Sequence, residues 1–192
     1  MGCFMCPYYP KHKKGSKTLS NIIADWGEVK IYDKIPFKVA HTTHEFKYDY
    51  RSTRATFYSS SLSPELLLKR LNFDKPEFEE HHQQTIKLVN RSKRWASIKD
   101  LSLQTQWGTL ILYDNIKGKA WNTIEPETRL SLIPLIKIEL LKAFDGGFYF
   151  DTFNDFNIMV TEDDIVLVGW DNLKPIEPNK TFEDYYPWSW LI

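Results

Sequence analysis

Cysteine is scarce in this chain: there are two, Cys3 and Cys6, both within the first six residues. No second cysteine pair follows, and His12 supplies only a third candidate ligand, so half a zinc knuckle stays incomplete. A redox pair is equally poorly supported, because no strand pattern precedes the cysteines and no helix pattern follows. Long apolar runs are missing too. None approaches the roughly 18 residues of a bilayer span, and Met1 to Lys17 lacks the apolar run of about seven found in secretory leaders. The sequons at Asn90 and Asn179 are therefore expected to carry no glycan. Charge of one sign is also lacking: the formal net charge is zero, which gives no global sign of nucleic-acid binding.

What is present is apolar and aromatic. Hydrophobic residues make up 42% and aromatics 15% of the 192 residues, enough for a buried core and too much for a disordered chain. The charge that exists is unevenly spread. Residues 1–20 contain Lys11, Lys13, Lys14 and Lys17 and no acid, leaving a net charge of −4 on the remainder. Removing Met1 would expose Gly2 as a myristoyl acceptor, and Cys3 and Cys6 could take palmitate. One acyl chain holds a membrane only marginally; a second chain or a basic cluster makes anchoring durable, and this stretch offers both. The expectation is a lipidated basic arm over 1–20 that meets an anionic membrane surface through its four lysines. An unmodified tail is the plain alternative. The start resembles the dually acylated M-G-C-x-x-C signalling proteins, although residue 6 is Cys where their pattern prefers Ser or Thr.

The body is organised around Leu140 to Asn172. Leu140, Leu141 and Phe144 end an apolar helix that Gly146-Gly147 stops. A polar loop runs to Asn157. Ile158-Met159-Val160, a turn at Glu162-Asp163-Asp164 and Ile165 to Val168 then make a hairpin, followed by Trp170-Asp171.

That order resembles the catalytic core of the protein-kinase-like superfamily, in particular its aminoglycoside-phosphotransferase-type branch, over roughly Glu77 to Asn172. The family's loop reads H-G-D-x-x-x-x-N-I-L-V, and its second strand runs into I-D-W/F. Its loop Asp orients the acceptor hydroxyl, while its Asn and its post-strand Asp hold magnesium on the ATP phosphates. Anchored on Asn157-Ile158-Met159-Val160, the family's His falls at Phe150 and its catalytic Asp at Thr152. Its metal-binding Asp falls at Gly169. Asp151 sits one residue early and Asp171 two late. One residue of slip moves a side chain by about 3.8 Å, whereas a reacting carboxylate must be placed to within about half an ångström.

The resemblance implies an α+β, truncated kinase-like fold. It pairs an antiparallel small-lobe sheet with helices over 21–118 and a reduced large-lobe part with an aromatic tail over 119–192. Strands are expected at Glu28–Tyr32, Pro36–Ala40, Phe46–Tyr50 and Arg54–Tyr58. Helices are expected as a turn over Asn21–Trp26, from Ser63-Pro64 over Leu66–Leu71, from Asp74 to Val89, and in two pieces divided at Pro134. An ordinary hairpin preceded by a helix is the alternative.

The family's phosphate loop is glycine-rich, yet Lys30 to Lys38 contains no glycine. Its phosphate Lys lies on the strand just before the helix that carries a Glu partner. The nucleotide-binding candidates are Lys47, Glu80 (or Glu79), and Asp114 and Ile116 in a hinge that offers backbone hydrogen bonds. The histidine pairs, His41 with His44 and His81 with His82, lack the spacing of metal motifs. The resulting expectation is a membrane-anchored, catalytically inactive kinase-like protein with no cofactor. It would sit at the cytoplasmic face and bind another protein as decoy, inhibitor, immunity factor or scaffold. The alternatives are a minimal phosphotransferase using ATP, magnesium, Asp151, Asn157 and Asp171, and a non-catalytic nucleotide sensor.

Overall fold

The computed structural model describes residues 22–26, 29–73, 76–162 and 164–186. Gly2, Cys3, Cys6, Lys11, Lys13, Lys14 and Lys17 lie outside them, as do Asn21, Asp74, Lys75, Asp163, Trp188, Trp190, Leu191 and Ile192. The chain is α+β and divides into two compact units. One comprises Met1–Asp74 with Asp100–Leu112, the other Lys75–Lys99 with Tyr113–Ile192. The units thus differ from the expected segments 21–118 and 119–192, in that the helix from Pro76 groups with the C-terminal part.

The first unit opens with strands β1 (Ile22–Trp26) and β2 (Val29–Tyr32), paired antiparallel. Of the stretch expected as a helical turn, Ile22–Trp26 is therefore extended, because its backbone groups are matched by β2. Strands β3 (Lys34–Val39), β4 (Thr42–Arg51), β5 (Ala55–Ser59) and β6 (Leu66–Leu71) follow as an antiparallel meander. Together with β7 (Ile98–Thr105) and β8 (Gly108–Asp114) they form a six-stranded sheet in the order β3-β4-β5-β6-β8-β7.

Alternation fixes which face is inside. Ile35, Phe37, Phe46, Tyr58, Leu66, Leu68, Leu110 and Leu112 form one buried cluster, while Lys34 and Lys38 alternate with the first two. The Tyr58 hydroxyl accepts the Tyr32 N–H within this core, and burial pushes its pKa up to about 12. The expected helix over Leu66–Leu71 is instead β6. All six of its residues are buried, and a strand covered on both faces reads as an unbroken apolar run that periodicity cannot tell from a helix. Ser63 does not cap a helix either; its hydroxyl bonds His44 Nδ1 at 2.6 Å.

The second unit contains helix α1 (Pro76–Val89), the two-residue strand β9 (Lys119–Ala120) and helix α2 (Pro126–Asp145). Helix α2 runs through Pro134 without a break, contrary to expectation. The hydrogen bond lost at the proline is offset by burial of Leu132, Ile136, Leu140 and Ala143 along one stripe. After Gly146, Gly147 takes the left-handed conformation (φ +88°) that ends such helices. Strand β10 (Phe148–Phe150) then pairs with the distant β13 (Leu173–Pro175). Strands β11 (Ile158–Val160) and β12 (Ile165–Leu167) form the expected hairpin, with β9 on the outer side of β11. A short helix α3 (Phe182–Tyr185) brings Phe182 against Phe144, with ring centroids 5.7 Å apart, and stacks Tyr185 on Tyr149 at 4.0 Å. The described part of the aromatic tail is thus packed on its own unit.

Candidate functional site

The β11–β12 hairpin is tied down by Arg94. Leu167 N–H donates to the Arg94 carbonyl at 2.8 Å, and Ala96 N–H donates to the Leu167 carbonyl at 3.0 Å. The Arg94 side chain donates from Nε to Asp164 at 2.6 Å in the hairpin turn, and its Nη1 lies 3.8 Å from the fully buried Glu139 of α2. Lys142 also reaches Glu139, at 2.7 Å. Glu139 is a carboxylate inside an apolar helix stripe, held there by two cations. For Asp164, partial burial works to raise the pKa, but the Arg94 hydrogen bond, the Ile165 N–H bond and the Arg94 charge together hold it below the ordinary carboxylate range.

The loop from Phe150 to Asn157 is built by side chains bonding to backbone. Phe150 N–H donates to the Tyr186 hydroxyl at 2.7 Å, which anchors the start of the loop to the residue just after α3. Asn154 Oδ1 accepts the Phe156 N–H, and its Nδ2 donates to the Thr152 carbonyl. Thr152 itself has φ +55°, an uncommon conformation for a β-branched residue. Asn157 spends both ends of its amide: Oδ1 accepts the Asn154 N–H at 3.0 Å, and Nδ2 donates to the Val168 carbonyl at 3.3 Å. It sits against Gly169, which has φ +87°; a Cβ added there would lie 2.9 Å from Asn157 Nδ2 and 3.5 Å from the Phe150 ring.

Of the remaining candidates, Asp151 lies beside the turn that carries Asp171, its N–H donating to the Asn172 carbonyl at 2.9 Å. Asp151 makes an ion pair with Lys174 at 3.3 Å. Asp171 is buried in the 3-10 turn Trp170–Asn172. Glu80 is exposed on α1, 3.8 Å from His81 Nε2. Asp114 ends β8, where its N–H donates to the Ser97 carbonyl and its carboxylate receives Lys99 at 3.1 Å. Ile116 follows in the half-buried loop after β8. Lys47 is exposed on β4, away from the strand that precedes α1.

That strand is β6, and it carries Lys69 and Arg70, both buried, which were hidden by reading it as a helix. Lys69 Nζ lies 5.8 Å from the Phe57 ring centre. Arg70 donates from Nε to the Trp107 carbonyl and stacks over Tyr32, while its Nη1 has no hydrogen-bond partner among the described residues. The signal for them in the sequence is a pair of cations inside an otherwise apolar run.

Among the described residues no three His, Cys, Asp or Glu side chains gather as metal ligands. Compared with known protein-family models and with curated proteins, the chain matches none.

Two outcomes are expected. Gly169→Asp should lower stability by about 1–3 kcal/mol in denaturant titration, from the left-handed backbone and the crowded Asn157 amide. The Asp164–Arg94 tie stabilises the fold above the carboxyl's unfolded pKa and is lost as pH falls through its lower folded value. Unfolding midpoints should therefore drop as pH falls below about 4, and Asp164→Asn should flatten that part of the profile.

Proposed function

We propose that the chain is a catalytically inactive protein of kinase-like architecture, held at the cytoplasmic face of a membrane by acylation at Gly2, Cys3 and Cys6, and that it works by binding another protein. The observation that carries the inactive reading is Gly169. It stands where the resemblance implies a metal-binding Asp, its backbone is left-handed, and a Cβ there would meet Asn157 Nδ2 at 2.9 Å and force that amide to shift. Asn157 supports the same reading, since the oxygen it would offer to magnesium accepts a backbone N–H. Asp151, the only acid next to the catalytic position, is occupied by Lys174.

For protein binding, the support is Phe156. It is 74% exposed on a loop that Asn154 and Asn157 hold fixed, which suits an aromatic anchor for a partner's pocket. A second reading, a non-catalytic nucleotide sensor, is favoured by Lys69 and Arg70 on the strand before α1.

The test of the main reading is phosphoryl transfer from labelled ATP with magnesium. No transfer above the no-enzyme background is expected, for the wild type or for Asp151→Ala. Metal-dependent transfer lost in Asp151→Ala would overturn the inactive reading and restore the phosphotransferase. Saturable binding of ATP without transfer would favour the sensor. Gly2→Ala should move the protein from the membrane to the soluble fraction of cells; unchanged partitioning would remove the acyl anchor.

A further inference from the structure

The face of the first unit's sheet turned away from its buried cluster carries Lys34, Lys38 and Lys47, of which Lys34 is paired with Glu45, beside a stacked aromatic pair. The register puts Lys34 directly opposite Lys47, Pro36 opposite Glu45, and Lys38 opposite Thr43. Ile35, Phe37 and Phe46 point into the core, so these alternate residues share the other face. Like charges set directly across a strand pair destabilise it. Glu45 relieves part of this by pairing with Lys34 at 2.7 Å, and it also feels the Lys47 charge. The exposed side chains of Lys38 and Lys47 make no salt bridge or hydrogen bond among the described residues.

A break in register between Tyr48 and Tyr50 shifts Asp49 out of step and returns Tyr50 to the lysine face, opposite Phe57. Their rings stack at 4.4 Å with 14° between planes, and Tyr50 remains 48% exposed. Lysine ammoniums on flexible stems around an amphipathic tyrosine form the chemistry that meets a lipid headgroup layer. A platform for single-stranded nucleic acid instead needs open ring faces for bases. Here the Phe57 ring is already engaged by Tyr50 and by Lys69.

We infer that the Lys34, Lys38, Lys47 and Tyr50 face of this sheet lies against anionic phospholipid headgroups as a second membrane contact, additional to the amino-terminal arm. This rests on the membrane-anchored reading above. Chain length is consistent with it: from Cys6 to Ile22 the backbone spans at most about 55 Å, so an anchored amino terminus keeps this sheet near the bilayer. The contact adds cations to those of Lys11, Lys13, Lys14 and Lys17 and requires no acyl group of its own.

The test uses full-length Gly2→Ala protein, which cannot be myristoylated, with phosphatidylcholine vesicles containing or lacking phosphatidylserine. Binding should require phosphatidylserine, weaken as salt rises, and fall about thirtyfold in Gly2→Ala/Lys38→Ala/Lys47→Ala, at about 1 kcal/mol per lysine. Both lysines are exposed, so thermal melts should coincide and exclude unfolding as the cause. Equal vesicle binding by the parent and the triple variant would overturn the inference and leave the arm as the whole contact. So would no vesicle binding at all, or lysine-dependent binding of oligouridylate in preference to vesicles. Cell fractionation of Lys38→Ala/Lys47→Ala with and without Gly2→Ala reads the acyl anchor with the sheet contact removed from both, so loss of either contact is distinguishable from loss of the other.

Discussion

The amide of Asn157 is the constraint on which the candidate site depends. It closes the loop behind it by accepting the Asn154 N–H, and it fixes the chain after β12 by donating to the Val168 carbonyl. Those two bonds require the backbone of residue 169 to pass close by, and the left-handed glycine there makes the approach possible. A side chain at 169 and this placement of Asn157 exclude one another. The Asn157 amide thereby satisfies one backbone donor and one backbone acceptor.

Two further sets of contacts hold that arrangement. Arg94 joins the hairpin turn through Asp164 and reaches α2 through Glu139, so the hairpin is fixed at its tip. Tyr186 takes the Phe150 N–H and packs near Phe153 and Phe182, fixing the start of the loop. Burial drives the Tyr186 hydroxyl pKa far up, so it stays a neutral partner at any physiological pH. Rigidity of this kind suits presentation of Phe156 as a contact, since an anchor held in place loses little freedom on binding.

The parts of the fold that were legible in the sequence are those with local signals. The acidic turn between two β-branched runs marked the β11–β12 hairpin, Gly146-Gly147 marked the end of α2, and the alternation around Phe46 marked β4. Elsewhere long-range packing decided. Leu66–Leu71 has the composition of a buried helix turn and becomes a strand only because β5 and β8 flank it. Pro134 marks a break by local rules, yet the buried stripe on either side of it keeps α2 whole. Strands β10 and β13 are short and owe their form to each other across a long stretch of chain, while β7 is a polar edge strand held by the neighbouring β8. In the site, sequence spacing placed Gly169 and Thr152, and the residue types alone signalled missing carboxylates. The engagement of Asn157 with backbone was not legible, because it depends on where two separate turns meet. Lys69 and Arg70 were lost together with the strand that carries them.

The most direct measurement is nuclear magnetic resonance of the Asn157 side-chain amide during titration with manganese and a non-hydrolysable ATP analogue. An amide locked between Asn154 and Val168 should show slowed hydrogen exchange and no paramagnetic broadening at any point. Selective broadening of Asn157 together with residues around Asp171, at stoichiometric metal and nucleotide, would place a divalent ion at the site and contradict the account.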